Sequence, residues 1–216
     1  RVESSNSDND EIEMHTAGSE RVTIDSTGVV DIASAKLEIA GAAGSANQVL
    51  TTNGSGTISW GRGLEYDKWE LTADVTTNGD ITSNLSRESS RTLVTYVGTG
   101  MSQSSGVFTF PSTGIWKVKV NMFSTNISAD SVLIYTVATD DNFTTEQRVE
   151  IAKNGNNSST SPTGAMAISE VVLDITDTAN DKVKFEAASI ASGSIIYGTL
   201  NNVPETTFVF ERLGDT

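Results

Sequence analysis

Apolar residues between positions 20 and 60 come as isolated couplets two positions apart, separated by short runs of Gly, Ser, Thr, Ala and Asn. A couplet with this spacing marks one face of a very short β-strand, and the small residues between couplets are typical of turns. The couplets are Val22/Ile24, Val30/Ile32, Leu37/Ile39 and Ile58/Trp60. Two apolar side chains contribute roughly 3 to 6 kcal/mol on burial, whereas ordering each residue costs roughly 1 to 2 kcal/mol. This tract is therefore not expected to fold as a single chain.

Residues 20–63 are predicted to form a trimeric fibrous β-stalk. Three identical copies around a common axis would bring each couplet against its symmetry mates and create one continuous apolar column. The alternative is a disordered linker, but linkers do not usually carry regularly spaced Val, Ile and Leu. The residues predicted to form the stalk core are Val22, Ile24, Val30, Ile32, Leu37 and Ile39.

Residues 1–19 are polar and acidic, and no apolar period runs through them. Ile12 and Met14 are the one sign of order in this stretch. Such a composition is typical of a flexible segment or of one that is ordered by a partner. We therefore predict a flexible acidic arm that anchors the stalk to whatever holds it.

From Leu64 onward the apolar residues alternate with polar ones over longer segments. In residues 115–122, Trp116 and Val118 begin one apolar face while Lys117 and Lys119 begin the opposite, polar face. This period of two is typical of half-buried antiparallel strands, and eight or more such strands with no convincing helix predict a sandwich or jelly roll over residues 64–216. The predicted core residues of this head are Phe108, Phe110, Trp116, Val118, Val120, Phe185, Phe208 and Phe210.

Composition and charge narrow the classes of partner. The chain of 216 residues has no cysteine, which excludes disulfides and sulfur-ligated metal sites, and its formal net charge is −14. Nucleic acid and anionic membranes are poor partners for such a surface. No stretch of about eighteen apolar residues and no secretory signal is visible, and because the sequence starts at Arg1 we expect a processed or partial chain.

The head segment resembles the C1q/TNF-like jelly-roll family. The resemblance rests on residues 105–118 (SGVFTFPSTGIWKV), on the strand and turn at 172–175 and 179–183, and on the closing strand at 207–214 (TFVFERLG). Asn180 stands where the family has a turn glycine, and the glycine usual within the last strand is missing. The family implies a ten-stranded sandwich that forms a tight homotrimer.

The stalk segment resembles repeats of tailed-phage fibres, in residues 20–28 (ERVTIDSTG) and 44–60 (GSANQVLTTNGSGTISW). A C1q-like head often caps such fibres. The resemblance implies a virion attachment, host-adhesion or capsid-decoration role. It also makes other virion proteins the expected partners of the arm.

The residues that could carry catalysis are sparse. The chain contains one histidine, His15, which lies in the predicted arm, and neither a nucleophile elbow nor a phosphate loop is present. Two carboxylates could still meet at glycosidase spacing, and sequence alone does not pair them. Asp8, Asp10, Glu11 and Glu13, or Asp140, Asp141 and Asn142, could chelate calcium, but neither set has the spacing of a known calcium loop. We predict a non-enzymatic protein with no catalytic residue, cofactor or metal site.

The best sequence candidate for receptor contact is an Asn- and Ser-rich loop at 154–161. Amide and hydroxyl groups both donate and accept hydrogen bonds, which suits the hydroxyls of a cell-surface glycan. A plain solvated loop is the alternative. Trp69 could also stack on a sugar, whereas Trp116 is in phase with the core face. The residues predicted to contact the receptor are Asn154, Asn156, Asn157, Ser158 and Ser159.

These observations predict a virion structural protein, a trimeric phage fibre at the particle surface with a C-terminal head for host adhesion. The fibre could belong to the tail, the neck or the capsid. One alternative is a capsid decoration or cement fibre without a receptor role. A secreted C1q-like carbohydrate-binding protein is another, although the collagen-like repeats expected of it are missing. A short polysaccharide hydrolase is the third.

Overall fold

The structure is a computed structural model that describes residues 2–3, 12–32, 38–39, 41–45, 48–52, 55–87, 95–127, 131–157, 160–201 and 203–216. The chain divides into two compact units, residues 1–61 and 62–216, close to the boundary predicted between stalk and head. We call them the N-terminal unit and the C-terminal unit. Within the described ranges, no helix has the length and apolar character of a membrane span.

The N-terminal unit contains an antiparallel sheet of four short strands in the order of the chain. The strands are β1 (Val2–Glu3), β2 (Ile12–Thr16), β3 (Ser19–Ile24) and β4 (Val30–Ile32). Val22 is in register with Ile32, and Ile24 with Val30, so the two predicted couplets lie opposite each other on neighbouring strands of one chain. The couplets therefore pair within the chain before any second copy is involved.

The predicted flexible arm was wrong for residues 12–19. Strand β2 pairs with β3 through a two-residue turn in which Ala17 and Gly18 both have a positive φ, 54° and 78°. Turns of this kind match the twist of paired strands and favour a tight hairpin. Ile12 is in register with Ile24 and Met14 with Val22. His15 consequently lies in a strand rather than in a mobile arm.

The N-terminal unit also contains a second, two-stranded sheet. Its strands are β5 (Gln48–Thr52) and β6 (Ile58–Arg62). The indole Nε1–H of Trp60 donates to the carbonyl of Ala42 at 2.8 Å. Gly44 lies against the ring, since a Cβ at this position would come within 2.7 Å of Trp60. Residues 41–45 thus cover the one large aromatic side chain among the described residues of this unit.

The C-terminal unit is a sandwich of two antiparallel sheets. Sheet 1 has the order β15-β12-β20-β7-β9, with β17 beside β12. It comprises β7 (Tyr66–Leu71), β9 (Leu85–Arg87), β12 (Gly114–Asn126), β15 (Thr163–Ile175), β17 (Ile195–Ile196) and β20 (Thr207–Gly214). Strands adjacent in this sheet are mostly distant in sequence, as in a jelly roll.

Sheet 2 has the order β10-β11-β16-β13-β14, with β8 beside β16. It comprises β8 (Gly79–Asp80), β10 (Ser102–Ser104), β11 (Val107–Thr109), β13 (Ser131–Thr139), β14 (Gln147–Gly155) and β16 (Lys182–Ala188). A small hairpin of β18 (Thr199–Leu200) and β19 (Val203–Pro204) precedes β20.

The core between the two sheets contains all eight residues predicted for the head, each at most 1% exposed. Phe185 of sheet 2 stacks on Phe208 of sheet 1 with ring centroids 4.1 Å apart. Phe108 meets Phe210 at 5.0 Å and Trp69 edge-on at 5.2 Å. Aromatic pairs in these geometries add to the stabilisation from burial, so the core is centred on a cluster of rings.

The two ends of the sandwich differ in polarity. Gly114, at the start of β12, pairs with Ile175, and Asn126, at its end, pairs with Thr163. The chain enters the unit beside the first of these ends, because β7 begins at Tyr66 and pairs there with Glu211. We call it the entry end, and the end near Asn126 the far end. The inward face of β12 is apolar from Trp116 to Met122 and polar at Ser124 and Asn126.

The turn between β15 and β16 accommodates Asn180 in place of the family's glycine. Its backbone N–H donates to the carbonyl of Asp177 at 3.1 Å, and its side-chain amide donates to the carboxylate of Asp177 at 2.8 Å. Asn180 is absent from the residues with positive φ, so the turn does not require glycine at this position. The departure noted in the sequence leaves the strand pairing intact.

Candidate recognition and assembly surfaces

The structure does not place the predicted receptor residues together on an exposed loop. Asn154 and Asn156 are only 4% and 6% exposed, and Asn157 is exposed. Ser158 and Ser159 lie outside the described residues. The prediction was therefore wrong for the two buried asparagines.

The buried asparagines connect the sheets at the far end. The side-chain amide of Asn154 donates to the carbonyl of Ser124 at 3.0 Å and to that of Thr163 at 3.3 Å. The amide of Asn156 donates to the carbonyls of Asn126 at 2.9 Å and of Ser161 at 3.0 Å. Buried amides that donate in this way hold elements in place and are not available to a ligand.

A sequence signal for this burial exists in the alternation of β14. Ala152 is fully buried, and Asn154 and Asn156 follow at intervals of two on the same inward face. The strand continues to Gly155 because β14 remains paired with β13 as far as Ser131. The Asn- and Ser-rich composition favoured a loop here. The alternation of inward and outward residues nevertheless continued from the apolar part of β14 into these polar residues.

The outward face of β15 carries an apolar stripe that sequence reasoning missed. Met166, Ile168 and Val172 are 60%, 57% and 56% exposed. They alternate with the inward face of the strand, where Ile175 is buried and Val171 and Leu173 pack against the core. We call Met166, Ile168 and Val172 the β15 stripe. The stripe lies on β15, the edge strand of sheet 1 as formed by the described residues.

Partly buried aromatic and charged side chains continue this surface across sheet 1. Phe123 is in register with Met166, and its ring lies 5.6 Å from that of Tyr197. Lys117 is in register with Val172 and forms an ion pair with Glu211 at 2.5 Å. The hydrogen bond to Glu211 raises the pKa of Lys117 above its ordinary value. The outer face therefore combines an apolar stripe with fixed charges.

The four-stranded sheet of the N-terminal unit also leaves apolar side chains uncovered. Val22, Ile24 and Ile32 are partly buried, whereas Val30 is 57% exposed and Met14 is 42% exposed. Ile39 is partly buried in an isolated bridge with Ala42, and Leu37 lies outside the described residues. A single chain thus buries the described residues of the predicted stalk core only in part.

Several turns are fixed by aspartates whose carboxylates accept hydrogen bonds from neighbouring residues of the turn. The backbone N–H of Thr145 and the hydroxyls of Thr139 and Thr145 donate to Asp141 and hold its pKa below the ordinary value of 3.8. The backbone N–H of Ala179 and the amide of Asn180 lower the pKa of Asp177 in the same way. Carboxylates already occupied by such donors are turn caps, and this is the role of the predicted calcium candidate Asp141.

Metal ligands and exposed tryptophans are the remaining candidates from the sequence. Among the described residues, no group of three or more His, Asp or Glu side chains is arranged to hold a metal ion. Trp116 is buried with its indole N–H donating to the carbonyl of Ser112 at 3.1 Å. The indole of Trp69 donates to Asp67 at 2.9 Å, and its ring packs against the core. Neither tryptophan is free to stack on a sugar.

Comparison with known proteins shows the fold of the C-terminal unit. The sequence matches no protein-family model, and no curated protein matches it significantly. Among solved structures, the chain is similar to murine APRIL at pH 5.0, with 9% identity and a TM-score of 0.50 over 69% of this chain and 99% of that one. It is also similar to the Eiger TNF of S. frugiperda, with 12% identity and a TM-score of 0.53 over 71% and 93%. Both are TNF-family jelly rolls, so the predicted all-β, TNF-like jelly roll is confirmed, and at these identities the likeness concerns the fold alone.

Proposed function

We propose that this chain is the subunit of a homotrimeric virion appendage, a phage fibre in which the N-terminal unit forms the stalk and the C-terminal unit the adhesive head. The observation that carries the proposal is the apolar surface that a single chain leaves exposed in both units. Val30 in the first unit and the β15 stripe in the second are each more than half exposed. Soluble monomers rarely keep such residues clustered on one face without a partner.

The stalk role is supported by the one-sided pattern of the four-stranded sheet. Val22 and Ile32 form one apolar register pair and Ile24 and Val30 the next, whereas Thr23 and Asp31 form the pair between them. Successive residues of a strand point to opposite faces, so the apolar pairs share a face that Asp31 does not. Three such faces meeting about an axis would cover Val30 and complete the burial of its neighbours.

The trimeric head is supported by the β15 stripe together with the charges beside it. Glu170 is in register with Lys119, and Asp174 with Ile115, so the same face presents carboxylates and lysines around the stripe. A surface that holds apolar residues and both signs of charge can be complementary to another copy of itself. The C1q/TNF-like family that the head sequence resembles implies a homotrimer, which agrees with this inference.

The position at the particle surface follows from the resemblance to phage fibres and agrees with the charge of the chain. A trimer would carry three times the net charge of −14, which keeps an exposed appendage soluble. The first residues would anchor it to other virion proteins, and they include β1 and β2, which pair with each other within the chain. The head would then be the part presented to the host surface.

The trimer is tested by the mass of the full chain in solution. Sedimentation should give three times the chain mass of 22.8 kDa. Val30→Asp places a carboxylate on the apolar face and should lower the trimer stability, whereas Asp31→Asn, on the opposite face of the same strand, should leave it unchanged. A well-folded species with the mass of one chain would contradict the proposal.

The virion role is tested on phage particles from the source of the sequence. Antibodies against residues 62–216 should label an appendage in electron micrographs, and added soluble trimer should reduce adsorption of the particles to the host. Labelling spread over the capsid with no effect on adsorption would favour a decoration fibre. Absence of the protein from purified particles would overturn the virion assignment.

A further inference from the structure

A polar groove of about 560 Å³ crosses the outward face of sheet 2. It is lined by Asp80, Val137, Glu146, Arg148, Lys184 and Glu186. Strand β13 lies between β16 and β14, and its Val137 is in register with Lys184 on one side and Arg148 on the other, so side chains from three adjacent strands converge on the groove. The volume is within the range typical of small-ligand sites.

Ion pairs fix the charged side chains of the groove, and two of them, Lys184 with Glu146 and Arg148 with Glu186, pass over β13. Lys184 donates to Asp80 at 2.8 Å and to Glu146 at 2.6 Å. Arg148 donates with two nitrogens to Glu186, at 2.8 and 2.9 Å, and its guanidinium lies 4.4 Å from the centre of the Tyr135 ring. Bidentate and bridging pairs of this kind hold their donors and acceptors in defined directions. The lining is therefore organised before any ligand arrives.

A strained loop places an aromatic ring beside the groove. Asn142 and Phe143 are consecutive residues with positive φ, 55° and 63°, a conformation that a bulky residue rarely adopts. The hydroxyl of Thr139 accepts the N–H of Phe143 at 3.0 Å and thereby supports this conformation. The Phe143 ring lies 5.0 Å from the ammonium of Lys184, whose side chain is only 12% exposed. Strain that is held in place in this way is common at functional sites.

The chemistry of the lining selects a polar and uncharged ligand. Each cation of the groove is already paired with a carboxylate, so a charged ligand would have to break one of these pairs. Among the described residues that line the groove, Val137 is the one apolar side chain, which gives little affinity for an apolar ligand. Hydroxyl groups can accept from Arg148 and Lys184 and donate to the remaining lone pairs of the carboxylates. An aromatic ring at the rim suits the C–H face of a sugar.

We infer that this groove is a binding site for a neutral saccharide, so that the head contacts glycans through its flank. This inference rests on the proposed adhesive role of the head. It makes the groove, and not the Asn- and Ser-rich loop, the glycan-binding region. The groove is nearer the entry end than the far end. Strand β16 begins at the entry end with Lys182, which is in register with Thr139, and Val137 lies two residues before Thr139 on β13. The buried asparagines of the far end keep a structural role.

The test is binding of the full-length protein to an array of immobilised bacterial capsular and O-antigen oligosaccharides, both neutral and acidic. Wild-type protein should bind neutral members of the array. Lys184→Met removes the bridge between Asp80 and Glu146, and Arg148→Met removes the pair with Glu186; each should weaken binding by about tenfold or more, as expected for lost charge-assisted hydrogen bonds. Lys153→Met, on the same outward face of β14 but outside the groove, should bind as the wild type does.

Oligomeric mass and far-UV circular dichroism of each variant show whether it is folded. Should Lys184→Met fail to fold, Glu146→Gln keeps Lys184 paired with Asp80 and should still reduce binding. Unchanged binding by folded groove variants would overturn the site, and binding restricted to acidic glycans would overturn the ligand class. A wild-type trimer that binds no glycan of the array would overturn this inference while leaving the assembly and its place on the particle to their own measurements.

Discussion

The two units of this chain differ in how far one copy can bury its apolar residues. In the C-terminal unit, the rings of Phe108, Phe185 and Phe208 are closed off between two sheets. In the N-terminal unit, the strands have three to six residues where they are best paired, and Val30 and Met14 keep much of their surface in water. A sandwich provides a second layer within the chain, whereas a single short sheet has to obtain that layer from elsewhere. Substitutions in the two units should therefore act in different ways.

The largest effect is expected in the aromatic core. Phe208→Ala removes a ring stacked at 4.1 Å on Phe185 and leaves a cavity between the sheets. The free energy of unfolding of the C-terminal unit should fall by about 3 to 5 kcal/mol. Urea denaturation followed by near-UV circular dichroism measures this loss. Val209→Ala, the next residue of β20 on the outward face, is the matched control and should cost far less; equal losses would contradict the assignment of the core.

A smaller loss of stability is expected when a buried asparagine at the far end of the same unit is substituted. Asn154→Ala leaves the carbonyls of Ser124 and Thr163 without the amide that donates to them. Buried groups left unpaired cost about 1 to 3 kcal/mol, so the denaturation midpoint should fall clearly. Asn157→Ala, at an exposed position of the adjoining segment, should change stability by no more than about 0.5 kcal/mol. If both variants lost glycan binding with unchanged stability, the receptor role first predicted for this loop would be restored.

The packing of the N-terminal unit is tested at a glycine. Gly44 and Gly41 both have a positive φ, 74° and 79°, but a Cβ at Gly44 would lie 2.7 Å from the Trp60 ring and one at Gly41 would meet nothing within 4 Å. Gly44→Ala should therefore displace the ring at a cost of about 1 to 3 kcal/mol beyond that of Gly41→Ala, which carries the backbone strain alone. The indole N–H resonance of Trp60 should shift in the first variant only. Equal shifts would contradict the specific packing of Gly44 against the ring.

The smallest change in stability is expected from protonation of the turn aspartates at low pH. The pKa of Asp141 is below 3.8 in the folded chain, so its stabilising contribution is present above that pH and is lost as the pH falls through the lower, folded value. Asp141→Asn should remove this part of the acid dependence, and Asp140→Asn serves as a control with the same change of charge. Asp25 in the N-terminal unit has its pKa lowered by the hydroxyl of Thr27 and the N–H of Val29, which predicts acid sensitivity of the same sign there. Thermal melts between pH 2 and pH 5 measure both, and melting temperatures independent of pH in this range would contradict the turn-cap role.

The fold of the C-terminal unit was largely predictable because strand alternation is a local property. Trp116, Val118 and Val120 are two apart in the sequence, and the same spacing places them on the buried face of β12. The hairpin at residues 12–24 was predictable in principle, since Gly18 follows Ala17 between two apolar couplets, but the acidic composition of the first residues masked it. The β15 stripe was overlooked because alternation identifies the buried face of a strand, whereas apolar residues on the opposite face become evident only from their exposure in the structure.

The candidate site was less predictable. Lys184, Asp80 and Glu146 are separated by up to 104 positions, and nothing in their local sequence indicates that they meet. Likewise the Asn- and Ser-rich segment has the composition of a loop, and only the polar end of β12 that faces it explains why Asn154 and Asn156 are buried.

The sequence by itself determined the β-character of the chain, the division near residue 62 and the apolar faces of the long strands, because each depends on the spacing of neighbouring residues. Only the tertiary structure decided which strands became neighbours, which polar residues were buried and which charges met across β13. Those outcomes depend on contacts between residues far apart in the chain, and a local pattern of polarity specifies the face of a strand but not what lies against it.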